Sequence, residues 1–250
     1  MDASTEELLI VTIARLLHGC RHVAVGALSP IPGSAALLAR RQSGGRMRVS
    51  VLGSRQWSPW SNGGVELFDC AGQGRMDAFF LSGGQIDGQA NVNLVGVGDY
   101  PTQQVRWSGS FGSAYLYFVV PKVILFREEH SRRTLVEKVD FISAPGSSPA
   151  NVYRPGGPYA LITSRCLFHF DKHRARFRLT SVHPGHEVAE VRDNTGFDFD
   201  LPEAVPVTAE PDPGTLALLR GEIAGQVADP YPQFAERLFG VPAAGRAAAP

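Results

Sequence analysis

Residues 21–54 read RHVAVGALSPIPGSAALLARRQSGGRMRVSVLGS, and the architecture is read outward from this stretch. The β-branched run RHVAVGA (21–27) predicts a strand, and GSAALLARR (33–41) predicts a helix with Ser34 as its cap. MRVSVLGS (47–54) then predicts a buried strand over 47–52 that stops at Gly53. A strand, a helix and a second strand in close succession form the unit from which parallel sheets are built. The expected fold class is therefore α/β, an open and largely parallel sheet with flanking helices. Ligands and catalytic side chains in such sheets lie at the carboxyl ends of strands. Yet Val49, Ser50, Val51 and Leu52 offer no acid, base or strong nucleophile.

On the amino side, Ser4 followed by Glu7 matches a capping box, and Leu9, Ile13, Leu16 and Leu17 repeat at helical spacing before Gly19. On the carboxyl side, residues 54–76 are rich in Gly, Ser and Trp and read as a long loop with a short strand at VELF. Further strands are expected at 77–83, 115–120, 122–126, 135–142 and 158–164. CLFHF (166–170) and ARFRLTSV (175–182) predict a hairpin, and helices are expected near 184–193 and 213–225. Residues 1–242 are expected to form one domain, with 243–250 as a disordered tail.

Hydrophobic content of 44% and charged content of 19% are globular values. Basic and acidic residues balance at 24 each, which gives no electrostatic reason to expect nucleic acid or an anionic membrane as partner. No apolar run reaches the roughly 18–20 residues of a membrane span, and the first residues lack the basic start of a signal peptide. Three unclustered cysteines, Cys20, Cys70 and Cys166, fit a reduced cytoplasmic protein. HPGHE (183–187) spaces two histidines around a Pro-Gly pair that precludes the helix of a zinc motif, so a loop and helix cap are expected, with no metal. DGQANVN (87–93) predicts a tight turn, Asp87 and Gly88 at the bend, Asn91 and Asn93 bonding to backbone. SGSFGSA (108–114) is a glycine-rich loop whose backbone N–H groups are suited to a phosphate or a developing oxyanion.

The run GGQIDGQANVN…GDY…SGSFG…KVDFISAPG, within 80–146, resembles the β subunits of family I CoA-transferases such as glutaconate CoA-transferase. The resemblance extends to AVGALSPIPGSAALLAR near the start and to VRDNTGFDFD near residue 200, and so covers almost the whole chain. It implies an α subunit of related fold, an α2β2 assembly, and an acyl-CoA substrate, with no cofactor beyond the CoA of that substrate. In the family a glutamate standing before a residue-Gly pair attacks the thioester. Val51 of VSVLG takes its place here, and Phe111 interrupts a loop that usually reads GSGGA.

That combination resembles the branch of the family that opens a steroid-derived ring, a cyclohexenone carboxyl-CoA, by hydrolysis in cholesterol catabolism. The resemblance then implies no catalytic residue in this chain, the general base being expected in the α subunit. Substrate contacts are expected from Val51, from Gly109, Ser110, Phe111, Gly112 and Ser113, and from Gln85, Asn91 and Asp99, with Asn93 helping to order the wall. Two alternatives stay open: a true transferase whose carboxylate is Glu66, and a non-catalytic acyl-CoA-binding or assembly subunit.

Overall fold

The computed structural model describes residues 2–242. In chain order the elements are α1 (Thr5–Leu16), β1 (His22–Val25), α2 (Pro30–Gln42), β2 (Arg48–Val51), α3 (Gly63–Gly72) and β3 (Ala78–Leu81). Four short strands follow: β4 (Gln85–Ile86), β5 (Val92–Asn93), β6 (Gly96–Val97) and β7 (Val105–Arg106). Then come α4 (Ser113–Val119), β8 (Lys122–Phe126), β9 (Pro158–Ile162), β10 (Cys166–Asp171) and β11 (Arg176–Val182). The chain continues through α5 (Val188–Asn194), α6 (Pro213–Leu218), a π turn at Leu219–Ile223, α7 (Ala224–Val227) and α8 (Pro232–Phe239). A seven-stranded sheet runs in the order β11-β10-β9-β8-β3-β1-β2. β1 pairs with β2 and β8 with β9 in parallel, whereas β9, β10 and β11 pair antiparallel. The expected open α/β sheet is present, with a hairpin at one edge. No helix of the described residues is long and apolar enough to cross a membrane.

Packing divides the chain into two compact units. The first is drawn from the chain up to Leu67, Met76–Ala78 and the chain from Ala209 onward. Its helix α1 has the capping box read from the sequence: Glu7 N–H donates to Ser4 Oγ at 3.2 Å, and Ser4 N–H donates to Glu7 Oε2 at 2.8 Å. Leu9, Ile10 and Ile13 on its inner face are fully buried. Its first turn is clasped by side chains from much later in the sequence: Arg220 pairs with Glu7 at 2.6 Å and Arg237 with Glu6 at 2.6 Å. Helix α2 begins earlier than expected because Pro30 occupies its first turn, where the missing N–H costs nothing. Ser34 therefore lies inside the helix and does not cap it; its hydroxyl donates to the Pro30 carbonyl at 2.8 Å. Helix α8 has no counterpart among the expected elements. Pro232 reads as a breaker in PYPQF but sits in the helix's first turn.

The second unit comprises Phe68–Arg75 and Phe79–Thr208. Its core sets the Phe168 and Phe177 rings tilted against each other, 5.9 Å apart, both fully buried on the β10–β11 hairpin, which forms as expected. Three expectations are overturned. YLYFVV (115–120) is mostly helix α4, because Gly112 turns the backbone at φ +60° and Ser113, Leu116 and Tyr117 are buried at the i, i+3, i+4 spacing of one helix face. The β propensity of those residues yields to tertiary packing. The expected strand at 135–142 forms only an isolated bridge, Leu135 to Ile86. VELF belongs to helix α3 and not to a strand in a loop.

Candidate functional site

At the carboxyl end of β2, Val51 is fully buried and faces Val25 across the parallel pair. Its N–H donates to the Trp57 carbonyl at 2.8 Å, and the chain turns away at Gly53, whose φ of +84° suits glycine. The next residues are tied down. Ser54 Oγ donates to the Asp229 carboxylate and accepts from Trp57 N–H at 2.7 Å, and the Arg40 guanidinium lies 5.0 Å over the Trp57 ring. Beneath, Ser50 Oγ and His22 Nε2 are 2.9 Å apart and buried. Glu66 lies one element further on. Its carboxylate accepts from Ser61 N–H at 2.6 Å, Ser61 Oγ at 2.7 Å and Asn62 N–H at 3.2 Å, closing the entry to α3. The Ser61 hydroxyl first, then these backbone groups, hold it below the usual carboxylate range. A carboxylate serving as a helix cap is committed to structure.

The glycine-rich loop belongs to the second unit. Ser113 N–H donates to the Ser110 carbonyl at 2.8 Å, closing a turn in front of α4. Among the described residues, the N–H groups of Gly109, Ser110, Phe111 and Gly112 donate to nothing within the protein. The Ser113 hydroxyl is buried and equally without a partner. Phe111 is 76% exposed and has a φ of +23°, a conformation that costs a non-glycine residue on the order of 1 kcal/mol. Its ring leans on Phe68 at 5.6 Å, and Phe68 meets Tyr115 edge-on at 5.8 Å. A Cβ at Gly112 would stand 2.3 Å from the Phe68 ring, so this position is closed to larger residues. The loop thus presents unpaired donors beside an exposed, strained aromatic wall.

Gln85, Asn91 and Asn93 meet in the β4–β5 hairpin. Gln85 Oε1 accepts from Asn93 Nδ2 at 2.7 Å and from Asp140 N–H at 2.9 Å, while Gln85 Nε2 donates to Asp140 Oδ2 at 3.1 Å. Asn91 donates to Asp87 Oδ2 at 3.0 Å and accepts from Gly146 N–H at 3.0 Å. Asn93 Oδ1 accepts from Val95 N–H at 2.9 Å. The tight turn expected at 87–93 is present, with Ala90 N–H bonded to the Asp87 carbonyl at 2.9 Å. Asp99 is apart from this network, exposed in the β6–β7 turn, where its carbonyl accepts from Thr102 N–H at 2.8 Å. Tyr117 OH donates to the Ala90 carbonyl at 2.8 Å, so α4 and the loop before it are fastened to the hairpin. Phe68 and Asp140 are partners in these contacts that are not among the expected site residues. Asp140 stands in the KVDFISAPG run that carried the resemblance, whereas nothing local marks Phe68.

Residues 7–194 match the Coenzyme A transferase family. The chain belongs to that family. A glutaconate CoA-transferase subunit from Acidaminococcus fermentans is 33% identical over 151 residues, 58% of this chain and 56% of that protein, so the match spans little more than half of that relative. A 3-oxoadipate CoA-transferase subunit from Pseudomonas knackmussii is 31% identical over 87% of this chain and 92% of its own length. The cholesterol ring-cleaving hydrolase IpdB subunit of Rhodococcus jostii is 27% identical over 87% of this chain and 76% of its own length. Among solved structures, the decarboxylase AibA/AibB matches with a TM-score of 0.78 at 24% identity, covering 96% of this chain and 100% of that one. Rhodococcus jostii IpdAB matches with a TM-score of 0.77 at 22% identity, covering 88% and 94%. These two structural likenesses establish the fold; their paired names are those of two-subunit assemblies.

Proposed function

We propose that this member of the CoA-transferase family is the β-type subunit of a heteromeric enzyme that opens a cyclic oxo-acyl-CoA by hydrolytic C–C cleavage. The substrate class is a steroid-derived cyclohexenone carboxyl-CoA, and the assembly an α2β2 complex with a subunit of related fold. The observation that carries this reading is Val51: the family's nucleophilic carboxylate is expected at the end of β2, and the residue there is a buried hydrocarbon. Glu66, the nearest substitute, is engaged as a helix cap.

Ring hydrolysis does not require a covalent glutamyl-CoA. Water adds to the electrophilic ring carbon, the adjacent C–C bond breaks, and its electron pair passes to the thioester enolate, which is then protonated. That sequence needs a base for the water, assigned to the α subunit, and donors for the enolate oxygen. The unpaired N–H groups of residues 109–112 are suited to the second task, and Phe111 to forming an apolar wall for the acyl group. Gln85 and Asn91, whose polar atoms bond within the hairpin, act by ordering that wall, with Asn93.

A second reading is favoured by one observation: the glutaconate and 3-oxoadipate relatives, at 33% and 31% identity, are CoA-transferase subunits. Incubating the co-purified complex with acyl-CoAs and weighing each intact subunit separates the two. Consumption of the cyclic substrate with gain of one water and no adduct supports the hydrolase. A CoA-sized adduct on this chain replaces it with a transferase. No adduct and no turnover leaves a binding or assembly subunit.

A further inference from the structure

The first unit holds a cavity of about 660 Å³ between the last turns of α1 and α2 and the segments leading into β1 and β2. Because β1 starts at His22 and β2 at Arg48, the cavity lies at the amino ends of these strands, opposite Val51. Its volume falls within the range of small-molecule sites. The floor is hydrocarbon: Ala14, Leu17, Ala39 and Met47, all buried. The rim is cationic: Arg15, Arg21 and Arg46, with His18 beside them.

No aspartate or glutamate is among the lining residues, although basic and acidic side chains balance over the whole chain. Part of the cationic charge is committed. Arg21 pairs with Asp77 at 2.9 Å, and Arg15 donates to the carbonyls of Ala209 and Glu210 at 2.5 and 2.9 Å. Arg46 is less committed: its Nε donates to the Ser43 carbonyl at 2.9 Å, and its terminal amino groups make no hydrogen bond among the described residues. The helix ends that face this region would oppose an anion if their carbonyls were bare. They are largely occupied: Cys20 N–H bonds Leu17 O at 3.0 Å, Ser43 N–H bonds Ala39 O at 2.9 Å, and Ser43 Oγ bonds Arg40 O at 2.7 Å.

We infer that this cavity binds an amphipathic anion, a small molecule with a hydrocarbon body on the Leu17–Met47 floor and a carboxylate head at Arg46. It is a second ligand site, independent of the acyl-CoA chemistry proposed for the opposite ends of the strands. Cys20, which is partly exposed and lines the cavity, serves as a reporter, since Cys70 and Cys166 are buried.

Decanoate is the probe. The full chain is titrated with it by calorimetry, and alkylation of Cys20 by iodoacetamide is followed by intact mass and peptide mapping. Saturable one-site binding is expected, with Cys20 alkylation slowed about tenfold at saturation, while decanol and decyltrimethylammonium protect far less. Arg46→Glu, an exposed rim change, should weaken binding about tenfold or more with the thermal midpoint unchanged. Gln42→Glu, on the same rim, should weaken it to a lesser degree. Equal Cys20 labelling with and without decanoate overturns the assignment. So does unchanged affinity in both variants, which would place any bound decanoate elsewhere, and so does equal protection by the cationic probe.

Discussion

The second unit contains two buried polar networks, one built on amides and one on imidazoles, and both are closed to outside partners in different ways. In the β4–β5 hairpin, Gln85, Asn91 and Asn93 distribute their donors and acceptors over Asp87, Asp140 and backbone groups. Behind β9 and β10, His130 Nδ1 lies 2.8 Å from Thr163 Oγ1 and its Nε2 3.0 Å from Thr195 Oγ1. His183 Nε2 donates to the Thr163 carbonyl at 3.0 Å, and its Nδ1 lies 2.8 Å from Thr208 Oγ1. Thr195 gives its own proton to the Val191 carbonyl at 2.7 Å, so it accepts from His130 and fixes that ring as a neutral Nε2–H tautomer. The difference is one of titration: amides have no second protonation state within reach, whereas two neutral imidazoles are held where a charge is unwelcome. Burial first, then the Arg165 charge, pushes His130 down to about 4, and burial pushes His183 down to about 4. Neither network has capacity to spare for a substrate, whereas the glycine-rich loop presents unpaired donors.

The largest expected effect is therefore on acid stability. Above pH 6.5 both states carry neutral histidines and the contribution is complete and flat. As pH falls from 6.5 towards about 4, the unfolded chain takes up protons that the folded chain refuses. Each histidine then removes up to about 1.4 kcal/mol per pH unit. Urea midpoints at pH 7, 6 and 5 should decline, and His183→Asn should shallow the decline; a pH-independent midpoint would erase the contrast. Next in size, Asn93→Ala strands the Gly96 carbonyl, the Val95 N–H and part of Gln85, at a cost of about 3 kcal/mol. Measured at pH 7 and pH 5, that loss should be the same.

Tyr117→Phe removes the bond to the Ala90 carbonyl and should cost about 1–2 kcal/mol. It should also lower turnover of the assembled enzyme by loosening the loop ahead of α4, which the two preceding changes test only indirectly. The smallest stability change is expected from Phe111→Gly. Relief of the positive φ offsets loss of the Phe68 contact, leaving the urea midpoint within about 0.5 kcal/mol. Its effect should appear as a raised KM for acyl-CoA. If Phe111→Gly is instead silent in turnover and KM, the loop is a plain turn.

What could be read from the sequence follows from how local the determining physics is. β1, α2, β2, β8 and the β10–β11 hairpin declare themselves because each is a short apolar run bounded by its own turn signals. Helix α4 does not, because YLYFVV has the residues of a strand and becomes helical through the Gly112 turn and the burial of Leu116 and Tyr117. The alternation of LVEKVDFI likewise promises a strand, yet no partner runs alongside beyond the bridge to Ile86. At the candidate site, the Gly-Ser composition of the loop and the apolar end of β2 are visible in the sequence. The Phe68 support under Phe111 and the saturation of Gln85 by Asp140 are not, since they join residues dozens of positions apart.

The clasp of Arg220 on Glu7 joins side chains 213 positions apart and has a consequence for synthesis. During translation, Glu7 and Glu6 of α1 are made 213 and 231 positions before their ionic partners Arg220 and Arg237. The long segment Phe79–Thr208 is contiguous and needs no such wait. On the nascent chain the segment Phe79–Thr208 is therefore complete before α1 is secured. During that interval α1, with Leu9, Ile10 and Ile13 on its apolar face, lacks its ionic clasp.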